Sequence, residues 1–292
     1  MTDGDTLNRF LFEHTRVRGE LVHLDATWRA VLERHAYPPR VRELLGEAMV
    51  AAVLLSTIIK FDGSLTLQLT GEGALSMLVV QATSRRTVRG LAHWHEPLPE
   101  AGGLGELTGN ARLAITIDPG QGMDRYQGIV ALEGEPDLSA ALAAYFSQSE
   151  QLDTRLWLAA GPERAAGMLL QRLPGTDEDP DVWPRTVQLA DTITDPELLR
   201  LGHREILHRL FHEEDVRFFE SEPVSFRCSC SRERIEHMLR GLGYDEVQSI
   251  LEEQGGVEVT CEFCNQRYHF DAVDAERLFA SADQPDVPPT RH

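Results

Sequence analysis

The chain has 292 residues, 42% of them hydrophobic, which is enough for one large domain plus a small one and excludes wholesale disorder. Its 47 acidic residues against 28 basic ones give a formal net charge of −19. That balance argues against non-specific binding to phosphate backbones or anionic membranes.

The opening MTDGDTLNRF has no basic region followed by an apolar run, so no secretory signal is expected and the chain reads as cytoplasmic. The apolar stretch 48–59 is too short to span a bilayer and reads as buried helix. A helical apolar pattern covers 41–60 through Leu44, Leu45, Met49, Val53 and Leu54. Phe61-Asp62-Gly63 is a turn, and 64–70 (SLTLQLT) alternates strictly, with Leu65, Leu67 and Leu69 on one face of a strand. Further strands are expected at 75–82, 112–117, 126–132, 156–159 and 168–173, and a helix at 138–146. Helices interrupt the strands without a regular βαβ rhythm, so the fold class is α+β. The first domain is placed at 1–174.

The acidic, Pro/Gly-rich run after Pro174 marks a domain edge, and 175–224 reads as a linker, acidic and then helical. Asp195 is expected to cap a helix, with Pro196 at its first position and Glu197 in its first turn. The stretch 204–211 places Ile206, Leu207, Leu210 and Phe211 on one side and ends in Glu213-Glu214-Asp215. Carboxylates at that end oppose the helix dipole, so this helix should be marginal alone and needs a surface for its apolar stripe. In the last unit, 225–285, Ser231 should cap a helix to Arg240 ended by Gly241-Leu242-Gly243. Asp245 with Gln248 should cap a second helix to Glu253. Strands follow at 257–260 and 267–270, then a helix begun by Asp271, and residues 286–292 form a tail.

Cys228, Cys230, Cys261 and Cys264 are the four cysteines of the chain. A CxC and a CxxC about thirty residues apart can bring four thiolates to one tetrahedral ion, which points to a single zinc. Spacing alone is satisfied by a purely structural site. It also permits a redox switch, a disulfide oxidoreductase or a nucleic-acid zinc module. In the switch reading, disulfides between sequence neighbours would be the local products of oxidation, and neither would replace the long-range crosslink. A one-residue CxC disulfide is strained and readily reduced.

Other constellations are weaker. His208 and His212 stand one turn apart, but HExxH is absent and a solvated helix face is expected. His93 and His95 fall on one face of a strand. Gly71-Glu72-Gly73 lacks the third glycine of a dinucleotide fingerprint, and neither GxSxG nor a P-loop occurs. Arg85, Arg86 and Arg89 read as a solvated strand or turn.

With its cysteine pattern and further motifs in order, the chain resembles the redox-regulated 33 kDa heat-shock chaperone (chaperonin) family of bacteria. The likeness runs through Phe10-Leu11-Phe12-Glu13, Val17-Arg18-Gly19-Glu20-Leu21, Lys60-Phe61-Asp62-Gly63 and Gln68-Leu69-Thr70-Gly71-Glu72-Gly73. It continues through Arg125-Tyr126-Gln127-Gly128, Tyr145-Phe146, Ser149-Glu150-Gln151-Leu152, Thr154-Arg155 and Ala166-Gly167-Met168-Leu169-Leu170-Gln171. Arg209-Leu210-Phe211-His212-Glu213-Glu214 and Cys228-Ser229-Cys230-Ser231-Arg232-Glu233-Arg234 complete it.

The resemblance implies an ATP-independent holdase and not an enzyme. Its reduced form would hold one zinc on Cys228, Cys230, Cys261 and Cys264 and be inactive. Oxidation would form Cys228–Cys230 and Cys261–Cys264, release zinc, and unfold the small domain and linker. Domain 1–174 would be the client-binding and dimerisation domain: its exposed surface would bind unfolding clients, with homodimerisation in the oxidised state. No nucleic acid or membrane partner is expected. A thiol–disulfide oxidoreductase built on Cys261 and Cys264 is the enzymatic alternative, but it needs a helix directly after CxxC where the sequence shows Asn265-Gln266 and a strand. A zinc module binding nucleic acid is the other alternative. The net charge opposes it despite Arg227, Arg232, Arg234 and Arg240.

Overall fold

The computed structural model describes residues 4–59, 62–120, 123–132, 134–175 and 179–280. Lys60 and Phe61 of the first turn, Thr176, Asp177 and Glu178 of the acidic run, and the tail 286–292 lie outside the described residues. The chain divides into two compact units between Arg227 and Cys228.

The first unit runs through β1 (Thr6–Phe12), β2 (Val17–Leu24), α1 (Ala26–Leu32), α2 (Pro39–Ile58), β3 (Ser64–Thr70), β4 (Leu75–Thr83) and β5 (Thr87–Trp94). It continues with α3 (Leu104–Thr108), β6 (Arg112–Asp118), β7 (Tyr126–Ala131), α4 (Leu138–Tyr145), β8 (Thr154–Ala160) and β9 (Ala165–Arg172). Then come α5 (Val182–Ala190), α6 (Asp195–Arg200), α7 (His203–Phe211), β10 (Val216–Pro223) and β11 (Ser225–Phe226). The architecture is α+β, as expected. One sheet has the order β10-β1-β2-β9-β8 and a second has β11-β5-β4-β3-β6-β7.

Helix α2 fills the space between the sheets and is buried on every side from Ala48 to Ser56, which is what an all-round apolar helix requires. Small residues set its approach. A Cβ on Gly167 of β9 would lie 2.4 Å from Val50 Cγ1, and one on Gly46 would lie 2.4 Å from Ala160 Cβ. Leu65, Leu67 and Leu69 of β3 face this core, as their alternation predicts.

The first sheet is buried on both faces. Leu7, Val22, Leu24 and Leu169 point to α2. Phe10, Phe12, Leu21, Met168 and Leu170 point the other way, against a cover made by α5, α6 and α7. Ile206, Leu207, Leu210 and Phe211 are buried there, so the apolar stripe of α7 has found its surface. Phe211 stands edge-on to Phe12, ring centroids 5.0 Å apart.

Local expectations need correction at several points. Thr194, not Asp195, caps α6, because Glu197 reaches back to the Thr194 amide (3.0 Å) and hydroxyl (2.9 Å). The helix predicted at 138–146 passes into a π-turn at Phe146–Glu150. Arg86 is not solvated: its Nε donates to Glu222 at 3.0 Å and its side chain is largely covered, while Arg89 Nε donates to Gln81.

The second unit comprises α8 (Arg232–Leu242), α9 (Tyr244–Gln254), β12 (Val257–Thr260), β13 (Arg267–Phe270) and α10 (Ala272–Ala280). Helix α8 runs two residues past Arg240. Gly243, at φ +96°, both ends α8 and caps α9, so Asp245 falls inside the first turn instead of serving as the cap. The core here is small, centred on Leu239, Val247, Leu251, Val257, Phe270 and Leu278.

Candidate metal centre

The first thiol pair lies between β11 and α8, where two serines and two arginines fix the chain. Ser231 caps α8 by accepting from the Arg234 amide, and Arg234 in turn donates to the Ser229 hydroxyl at 2.7 Å. Arg232 ties this corner to the β12–β13 hairpin and α10. It lies over the Phe270 ring at 4.2 Å, donates to the His269 carbonyl at 2.9 Å and pairs with Asp274 at 2.8 Å. The Ser-Arg-Glu-Arg run after the cysteines is therefore scaffold for them.

The second pair occupies the tight turn joining β12 to β13. The Cys261 amide donates to the Gln266 carbonyl (2.9 Å), and the Cys261 carbonyl accepts from the amides of Cys264 (3.3 Å) and Asn265 (2.7 Å). Asn265 takes the left-handed conformation, φ +57°, which asparagine tolerates. The amides of Phe263 and Cys264 are directed at the Cys261 sulfur, and that of Gln266 at the Cys264 sulfur. Such donors stabilise thiolates.

All four sulfurs lie within 4.8 Å of one another. Cys228 Sγ is 3.7 Å from Cys261 Sγ, and Cys230 Sγ is 3.3 Å from Cys264 Sγ. Four ligands at about 2.3 Å from a tetrahedral ion would stand roughly 3.8 Å apart, so the donor set and its size fit a thiolate-loving divalent metal. Burial pushes the thiols of Cys261 and Cys264 up; Cys228 pushes Cys261 the same way, and Cys230, Cys228 and Cys261 do so for Cys264. A bound cation reverses that by favouring the thiolates. The Tyr268 hydroxyl donates to Cys230 Sγ at 3.2 Å, which holds its own proton and raises its pKa to about 12. Sequence reading missed Tyr268; its signal was an aromatic residue four positions beyond the second pair.

Among the described residues this is the one cluster of three or more His, Cys, Asp or Glu able to hold a metal ion. His208 of α7 and His212 at its C-cap have tilted rings 5.7 Å apart, and among the described residues no third ligand group joins them. His93 lies one residue before the end of β5 and His95 just beyond it, so the two do not share a strand. No described helix is long and apolar enough to cross a membrane.

A family model for the Hsp33 protein matches residues 5–271, from β1 to the end of β13 and through all four cysteines. The chain belongs to the Hsp33 family. It is 54% identical to the 33 kDa chaperonin of Nitrosococcus oceani over the whole of both chains. It is 50% identical to that of Chromobacterium violaceum, covering 96% of this chain and 95% of the relative. The crystal structure of the 33 kDa chaperonin (heat shock protein 33 homologue) of Thermotoga maritima shares the fold with a TM-score of 0.83. It is 24% identical, and the match covers 96% of this chain and all of that one. Hsp33 membership makes the chain a chaperone-type protein, and its cysteines are compatible with a metal site.

Proposed function

We propose that this Hsp33 protein is a redox-regulated, ATP-independent holdase of the cytoplasm whose reduced, zinc-bound form is inactive. The observation that carries the reading is the convergence of four thiols from two distant turns in a unit with a small core of its own. Held there, zinc would tie the four thiolates together, a contribution on the order of 10–16 kcal/mol of folding free energy at neutral pH. Cys228 and Cys230 would hold the start of the unit and Cys261 and Cys264 its hairpin turn.

Oxidation withdraws these ligands. For each disulfide, two thiolates give two electrons to hydrogen peroxide, an S–S bond forms and the O–O bond breaks. Two protons from solvent then complete two waters. Pairing as Cys228–Cys230 and Cys261–Cys264 rests on the family resemblance and the short intervening loops, since the shortest sulfur contacts run across the turns. Neither bond spans the unit, so the small unit unfolds and zinc is lost.

The client surface in this reading is the sheet face of Phe10, Phe12, Leu21, Met168 and Leu170, with α5–α7 as its cover. A face of that size, once bare, would bind unfolding proteins and a second copy of the chain. An oxidoreductase role is disfavoured because the second pair sits before a strand, not a helix, and its thiols are pushed up.

Light scattering of a heat-unfolded client without ATP tests this. The oxidised, metal-free protein should suppress aggregation and the reduced zinc-loaded protein should not. Equal behaviour of both forms would make the thiol site purely structural.

A further inference from the structure

On the outer face of the first sheet two histidines meet. His23 of β2 and His203, at the start of α7, are each 0% exposed, with ring centroids 4.2 Å apart. Each also crosses between sheet and cover. His23 Nε2 lies 3.0 Å from the Leu198 carbonyl of α6, and His203 Nδ1 lies 2.7 Å from Asn8 Oδ1 of β1.

The hydrogen bonds assign the tautomers. A carbonyl can only accept, so His23 carries its proton on Nε2. Asn8 uses its amide nitrogen on the Phe219 carbonyl at 3.1 Å, which leaves Oδ1 to accept from His203 Nδ1. A neutral ring satisfies each of these bonds in the closed state. A second proton would have to enter at His23 Nδ1 or His203 Nε2, both buried nitrogens. It would meet the other ring and the positive end of α7. Arg164, at the start of β9, adds positive field; it pairs with Asp25 and donates to the Leu199 carbonyl of α6. Glu205, the acidic group in the first turn of α7, spends its carboxylate on the Gly202 amide (2.8 Å). Glu197 of α6 is held by Thr194 and Arg209. Asp5, at the start of β1, accepts from the amides of Asp25 and Thr27. In the first sheet, Glu20 lies on the opposite face of β2 from His23, and Glu222 on β10 is taken by Arg9 and Arg86.

We propose that His23 and His203 form a proton-operated latch, so that acidification releases the α6–α7 cover while the thiols stay reduced. The proposal rests on reading α5–α7 as the cover of the client face. Burial, then His23 and Arg164, hold the His203 imidazole down at about 2, far below its ordinary 6.5. The open state therefore binds more protons. Latch stability is complete above about pH 6.5 and is lost as pH falls below it. Between pH 7.5 and 5.5 the open fraction rises roughly 10-fold for each histidine that titrates only on opening.

The test is amide exchange on the full, reduced, zinc-loaded chain at pH 7.5 and 5.5, corrected for intrinsic rates, with β9 as internal reference. Segments of α7 should open 10- to 100-fold more at pH 5.5 while β9 stays protected. His203→Gln and His23→Gln should each lose about 10-fold of this dependence, and the double variant should lose all of it. The readout is the pH slope, so a uniformly destabilised variant still reports. Where a variant fails to fold, an imidazole NMR titration of the wild type decides. A ring that protonates near pH 6.5 with α7 still protected overturns the latch, as does an unchanged slope in the double variant. Opening of α7 at pH 5.5 without suppression of client aggregation upholds the latch and overturns the client-face reading instead.

Discussion

Tyr268, Gly19 and Glu20 each show one atom deciding an outcome. Removing the Tyr268 hydroxyl takes a donor from Cys230 Sγ without touching a ligand. Tyr268→Phe should weaken zinc binding roughly 10-fold, the low end for partners of metal ligands, in competition with a chromophoric chelator. A Cβ on Gly19 would stand 2.1 Å from Phe10 Cζ, and that ring is packed among Phe12 and Phe211. Gly19→Ala should therefore cost about 1–3 kcal/mol in denaturant unfolding, as overpacked cores do. Glu20, 2% exposed on the inner face of β2, receives the Thr57 hydroxyl. Burial pushes its carboxyl up to about 7, against that hydrogen bond and the fields of Arg18, Arg9 and Arg86. A raised carboxyl contributes stability that is full below about pH 4.5 and is lost as pH rises through 7. Glu20→Gln should remove that loss, so its advantage over the parent should grow between pH 5 and 8 by up to about 3 kcal/mol. A pH-independent difference would mean that Glu20 titrates normally. His203 carries the opposite sign, so acid tightens the face toward α2 and loosens the face under the cover.

At the scale of elements, α7 is the piece whose strength matters. Ile206 is fully buried between α7 and the sheet. Ile206→Ala deletes packing worth about 2–5 kcal/mol, all of it on the cover. The reduced variant should bind apolar dye and suppress client aggregation without oxidant; if dye binding stays at the parent level, the cover is not what hides the client face. The stripe of α7 was legible because it repeats with helical period over a charged background. Strand β3 was legible because one of its faces is polar, and β12 and β13 because glycines and cysteines bracket them. Strand β2 carries no such alternation. It is buried along nearly its whole length on both faces, and it holds Gly19, Glu20 and His23 for reasons visible only across the sheet. Strand β10 is an edge rich in charge, and its pairing with β1 spans some two hundred residues of chain, which no local pattern announces. The four thiols were fully legible because the chain has no other cysteines to confuse them. Thr194 was missed because Asp195 offers the same kind of cap one residue later, and Glu197 decided between them.

The whole molecule divides its stability unequally. The first unit has a helix buried between two sheets and a second apolar layer under its cover. The second has three helices and a two-stranded hairpin around a few apolar side chains, with Arg232 as its main polar tie. A core that small leaves little margin over the entropy of ordering its chain, so the metal tie should decide whether it folds. Removing metal under reducing conditions leaves four thiols, and burial pushes those of Cys261 and Cys264 up, so near neutral pH these two revert to protonated groups. A chelator strong enough to strip zinc should therefore abolish amide protection throughout α8, α9 and α10 and leave β9 as protected as before. Re-adding zinc should restore it, and pH should matter because each ligand must give up a proton to bind. Protection of α8–α10 that survives chelation would show that Leu239, Val247, Leu251 and Phe270 hold the unit alone. Thiol oxidation could then no longer act by unfolding it, and the switch would need a different coupling to the cover.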